Sequence, residues 1–342
     1  MNEMDNDIKV SIICITYNQE KYIGKTLDSF LAQRTDFAYE IIVHDDASND
    51  NTAAIIKEYA AKHQCIVPIL EAENQYGKPN VRIIGNFCLQ KVRGKYIALC
   101  EGDDYWVDNY KLQKQYDMLE SNPNCMLCVG RTTSCKEDGI TPHRYMWPPK
   151  KYSKWNTKCV ESSEMVKKLL IEKPLFFHNS TWMIRRTPIT DSVYKDAWLK
   201  RDVFMLLYLS SIGDVAFIND DLSCRRIGAK GNWNSTMDAG GMEKWYKLYI
   251  AEDYDRYQLF NEITEKKYNG LVVARLLQNA FVFMPYKPME TRRYIFEKGL
   301  KYSECKGDLT FKYKVIYGVA YALILVCPWI YKILPKWSPV KK

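Results

Sequence analysis

The chain has 342 residues, 47% hydrophobic and 26% charged, which fits one large folded domain with an appended segment and excludes a disordered or low-complexity protein. Its 49 basic and 41 acidic residues give a formal charge of +8, which favours phosphates or acidic lipid headgroups as partners; a nucleic-acid partner is not expected. Eleven cysteines, an odd number scattered from Cys14 to Cys327, exclude a dense disulfide framework and point to a cytoplasmic compartment, and no signal peptide is expected at the N-terminus.

From Lys9 short apolar runs alternate with longer segments of helical spacing, the pattern of parallel strands joined by crossover helices. Strands are predicted at residues 10–16, 39–44, 67–71, 96–100 and 126–132, and helices at 20–33, 52–62, 81–92 and 111–120. Right-handed crossovers put the carboxyl ends of these strands on one edge of the sheet, where ligands of open α/β sheets bind. Cys125 and Cys128 form a lone CxxC in a strand-like run with no second ligand pair, so no metal is expected there. Residues 135–175 have weak periodicity and read as a long surface excursion. A second sheet region follows, with strands at 178–184 and 215–218 around a helix at 203–211, then a loop at 228–235.

Beyond Gly240 the pattern turns mostly helical to about Lys301. An uncharged run of 17 residues, 315–331, follows between Lys312 and Lys314 on one side and Lys332 and Lys336 on the other. As a helix it would reach about 25 Å, short of a membrane span. Two readings stand, a peripheral anchor at the membrane surface spanning residues 311–336 and an ordinary core helix. The expected divisions are 1–240, 241–310 and 311–342.

The first strand runs into Thr16-Tyr17-Asn18 without a GxGxxG turn, which argues against a nicotinamide dehydrogenase. The second ends in Asp45-Asp46 ahead of small and capping residues; that pair either accepts hydrogen bonds from a base or ribose or caps its own turn. The fourth ends in Glu101-Gly102-Asp103-Asp104, three carboxylates within four residues. Such a cluster raises its own pKa values unless a hard divalent cation relieves the repulsion; the alternative is a solvated acidic turn.

Three segments, VSIICITYN, EIIVHDDASNDNT and GKYIALCEGDDYW, in this order resemble the family-2 glycosyltransferases over about residues 9–235. The resemblance implies a GT-A fold, a Rossmann-like α/β domain with a mostly parallel sheet flanked by helices, here with a mostly helical C-terminal extension. It implies inverting sugar transfer from a nucleoside-diphosphate donor, a UDP-sugar favoured, with Mn2+ or Mg2+. Thr16 and Tyr17 would line the nucleoside pocket, Asp45 and Asp46 would hold the base, and Asp103 with Asp104 would meet the ribose and the metal. The usual DXD motif opens with Asp, where this chain has Glu101. Asp202 takes the position of the catalytic base, although an acidic residue ahead of an apolar helix is equally an N-cap. Arg226 and Lys230 resemble the basic loop over the donor diphosphate, with Gly228 where His is common. The expected acceptor is a glycan or lipid-linked glycan at the inner face of the cytoplasmic membrane, in cell-surface polysaccharide synthesis. The competing reading is a non-catalytic nucleotide-sugar or carbohydrate-binding protein on the same scaffold.

Overall fold

A computed structural model of the chain describes residues 8–143, 148, 155–171, 177–188, 191–192, 202–229, 241–284 and 286–326. The chain divides into two compact units, residues 1–169 with 174–235, and residues 170–173 with 236–342.

The described part of the first unit is built on one nine-stranded sheet. Its first half comprises β1 (Ile8–Thr16), β2 (Ala38–Asp45), β3 (Ile66–Leu70) and β4 (Tyr96–Glu101), in the order β3-β2-β1-β4 and all parallel. Val10, Ile12, Ile13 and Cys14 of β1 are all buried, as in a strand covered on both faces. Helices α1 (Ile23–Leu31), α2 (Thr52–Lys62) and α3 (Lys111–Glu120) belong to this half. Ile23, Leu27 and Phe30 of α1, spaced for one helical face, join the core with Ile56 of α2 and Leu112 and Leu119 of α3.

The second half continues the same sheet. β5 (Tyr105–Trp106), β6 (Cys125–Lys136), β7 (Lys158–Val160), β8 (Met183–Arg185) and β9 (Asp214–Ile227) extend it as β4-β8-β6-β9-β5, with β7 also on β9. β8 runs antiparallel to both β4 and β6. The segment leading into β8 therefore arrives at the edge where β4 ends.

Several expectations are corrected. The predicted helix at 81–92 is a π-helical turn, Ile84–Cys88, followed by a 3-10 turn, Leu89–Lys91. Gly85 weakens a regular helix there, and the Asn86 side chain accepts the Arg82 N–H. The strand predicted at 178–184 is instead a 3-10 turn, Asn179–Thr181, ahead of the short β8. Within the predicted surface excursion, β6 reaches Lys136, β7 pairs with β9, and α4 spans Ser162–Ile171. The second region is no separate sheet, because β8 bonds directly to β4.

The second unit is helical where described: Gly241–Tyr246, a π-helical segment Lys247–Glu252, Asp253–Ile263, Asn269–Phe283, Pro288–Glu297, Tyr302–Cys305 and Phe311–Val326. Asn269–Phe283 is buried on nearly every side, including Arg275, whose guanidinium donates to Gln278 Oε1 at 2.8 Å. No helix among the described residues is long and apolar enough to cross a membrane.

Candidate active site

The carboxyl edge of the parallel half sets the first residues in a row. Thr16 is registered beside Asp45, and Ile15 beside Glu101. The loops leaving β1 and β2 then bind each other. Asn18 N–H donates to Ser48 Oγ at 2.8 Å, Asn49 N–H to Asn18 Oδ1 at 2.8 Å, and Gln19 N–H to Thr52 Oγ1 at 2.8 Å. Asn18 holds φ 54, a left-handed turn that Asn tolerates. Tyr17 is left exposed at the rim, while Thr16 is buried and donates to Gln19 Oε1.

Asp45 and Asp46 are both buried, and both carboxylates are used by the protein. Asp45 accepts from the N–H and the hydroxyl of Ser48. Asp46 accepts the backbone N–H of Gln75 at 2.7 Å on Oδ1 and of Tyr76 at 3.0 Å on Oδ2. Asp45 thus closes its own turn, and Asp46 fastens the 74–76 segment over the row.

After β4 the chain turns tightly against β1. A side chain on Gly102 would place Cβ 2.8 Å from Thr16 Cβ and closer still to Gln19, so only glycine fits. Asp103 and Asp104 leave this turn in different roles. Asp104 is fully buried; Oδ2 accepts from Ser180 Oγ at 2.7 Å and Oδ1 from Arg226 N–H at 3.1 Å. Asp103 is buried as well, but its Oδ1 has no hydrogen-bond partner. Burial first, then the Glu101 charge, pushes the Asp103 carboxyl up to about 7; Arg225 and Arg226 oppose this. Glu101 accepts from Asn179 Nδ2 at 2.7 Å.

Two arginines sit behind this cluster. Arg226 is buried, with its guanidinium carbon 5.1 Å from the ring centres of both Tyr22 and Tyr105 and its Nη1 donating to Asp103 O. It props the turn from within. Burial raises the carboxyls of Asp103 and Asp104 and holds His178 neutral; the charge of Arg225, on the opposite face of β9 by strand alternation, offsets part of the first effect and adds to the second. Lys230 lies outside the described residues.

Asp202 opens the helix Asp202–Ser211 and is exposed. The Tyr76 hydroxyl is raised above its ordinary value by burial of that hydroxyl, then by Glu101 and Asp202, although most of the ring is open to solvent.

His178, Asn179 and Ser180 escaped the sequence reading. Their signal is three polar residues inside the apolar stretch LFFHNSTWMI. Trp182 beside them is buried, its Nε1 donating to Phe177 O at 3.0 Å, so it packs; Trp155 meets Phe217 edge-on at 5.6 Å. Trp147 lies outside the described residues.

The carboxylate pair fits a hard divalent cation. A buried, unpartnered Asp103 oxygen beside a second carboxylate is a site short of positive charge. Among the described residues no three His, Cys, Asp or Glu side chains form a closed metal group. Magnesium-type sites commonly use one or two carboxylates and leave the remaining positions to water and phosphate oxygens. Asp104 accepts one protein donor on each oxygen, which leaves a lone pair on each for a ligand.

The family described as "Glycosyl transferase family 2" matches residues 11–203, more than half of the chain. An uncharacterized protein of Mycobacterium tuberculosis is 35% identical over 229 residues, 66% of this chain and 61% of that protein. The match thus spans about three fifths of that relative's length. An uncharacterized glycosyltransferase of Methanocaldococcus jannaschii is 32% identical over 181 residues, 51% of this chain and 60% of that one. Among solved structures, residues 1–349 of Staphylococcus aureus TarS superpose with a TM-score of 0.62 at 17% identity, covering 95% of this chain and 90% of that one. The complex of the same fragment with UDP-GlcNAc gives 0.51 at 16% identity, covering 92% of each chain. The chain belongs to glycosyl transferase family 2 and has the GT-A fold.

Proposed function

We propose that this glycosyltransferase moves a sugar from a nucleoside-diphosphate donor to a hydroxyl of a glycan or lipid-linked acceptor, with inversion at the anomeric carbon, in cell-surface polysaccharide synthesis. The observation that carries the reading is the buried, unpartnered Asp103 oxygen beside Glu101 at the carboxyl edge of the sheet. A uridine donor is the first choice, since UDP-GlcNAc is the ligand named for the TarS complex.

Tyr17 and Thr16 at the end of β1, with the loops fastened by Asp45 and Asp46, form the nucleoside end of the site. Asp103, with Asp104 or Glu101 beside it, would hold the divalent cation, Mn2+ or Mg2+. When bound, that cation supplies positive charge to the departing diphosphate. Arg225 and Arg226, whose charges both act on Asp103, would add fixed positive charge near the diphosphate.

Asp202 is the base. Its exposed carboxylate takes the proton of the acceptor hydroxyl as that oxygen bonds to the anomeric carbon on the face opposite the diphosphate. The bond to the diphosphate oxygen breaks with its electron pair staying on that oxygen. One displacement inverts the centre and leaves no covalent enzyme intermediate.

Calorimetry of a nucleotide-sugar panel with and without Mn2+, on wild type and Asp103→Asn, tests this reading. One donor that binds only with metal, and not to the variant, is expected. Failure of folded wild type to bind any donor would replace it with a non-catalytic scaffold.

A further inference from the structure

The helix Phe311–Val326 packs one side onto its own unit. Tyr317 and Ala320 are buried, Tyr317 meets Phe281 edge-on at 5.8 Å, and the hydroxyl of Tyr302 donates to Lys314 O at 2.8 Å. The other side is apolar and uncovered. Phe311 is 83% exposed, Val315 48% and Val319 53%, with Ala322 also exposed. At about 100° per residue these four fall on one stripe, with Lys312 on one flank and Lys314 on the other. Both lysines are exposed.

From Leu309 to Lys342 the sequence contains no Asp or Glu and six lysines. Whatever covers this stripe meets a surface of one sign. A second copy related by a two-fold axis would set the same lysines against each other. An anionic bilayer takes the apolar side chains into its interfacial region and places headgroup phosphates beside the lysines. We propose that the outer face of Phe311–Val326 is a docking surface for an anionic lipid bilayer, with the helix lying flat on the membrane. None of its residues belongs to the catalytic machinery.

The test uses the full chain, sedimented with vesicles of phosphatidylglycerol and phosphatidylcholine, and with phosphatidylcholine vesicles alone. Wild type is expected to bind the anionic vesicles and to be released by salt. Val315→Asp/Val319→Asp is expected to weaken binding by about tenfold or more, and Lys312→Gln/Lys314→Gln severalfold with a flatter salt dependence. Thermal melting and nucleotide-sugar binding of both variants should match wild type, which separates lost docking from lost folding. Absence of wild-type binding, equal binding to neutral vesicles, or wild-type affinity in both variants would overturn the proposal. So would light scattering that finds a dimer split by Val315→Asp/Val319→Asp, since a second copy would then be the occupant.

Discussion

Asp103 and Asp104 are neighbours in sequence with opposite tasks, and their substitutions should separate cleanly. Asp103→Asn removes a buried carboxylate whose Oδ1 has no hydrogen-bond partner, so the melting temperature should hold or rise while turnover falls by about a hundredfold or more. Asp104→Asn loses the carboxylate that accepts from Arg226 N–H and Ser180, and should cost about 1–3 kcal/mol of stability. Melting curves and single-turnover assays on the two variants check both. Spacing placed both residues at the strand end but could not rank them, because adjacent residues of a turn diverge and the deciding donors come from residues 180 and 226. Arg226 was named from the sequence, and Arg225 was hidden for a like reason. Alternation separates their faces, but nothing local says which face meets the carboxylates.

Elements with strong periodicity were legible to within a few residues. Helices 52–62 and 111–120 match the observed bounds, since apolar spacing is regular there. The segment 81–92 was not, because a side-chain bond and a glycine outweigh its apolar content. Asp202 sits at the first turn of its helix, and Asp202→Asn should lower kcat by about 10² to 10⁴ while donor affinity, read by calorimetry, stays near wild type. A large fall in melting temperature instead would assign it to capping.

Helix α3 carries a different consequence at its start. Lys111 is fully buried, donates to Gln115 Oε1 at 2.7 Å and lies 4.0 Å from the Trp106 ring centre. Burial drives its pKa down to about 7. Above that value the unfolded chain keeps the lysine proton while the folded chain sheds it. The destabilisation from Lys111 is therefore full below about pH 7 and fades as pH rises towards the unfolded value. Wild type should gain stability relative to Lys111→Met between pH 7 and 9, by at most about 1.4 kcal/mol per pH unit in denaturant titrations.

At the scale of the molecule, the sheet explains why the donor half was easier to read than the rest. β1 to β4 follow one another in sequence and run parallel, so their shared carboxyl edge follows from crossover handedness, although β4 returns to lie beside β1. The remaining strands insert β8 antiparallel beside β4, a pairing between segments about 85 residues apart that no local pattern announces.

That reversed strand also sets when the site can exist. A ribosome that has released residues up to Trp106 has made every carboxylate at the strand ends, yet Asp104 still lacks Ser180 and Arg226, and Glu101 still lacks Asn179. The pocket is therefore finished late in synthesis, after β8 and β9 have docked. A nascent chain stalled before residue 178 should be unable to sequester nucleotide-sugar, however well its first four strands have assembled.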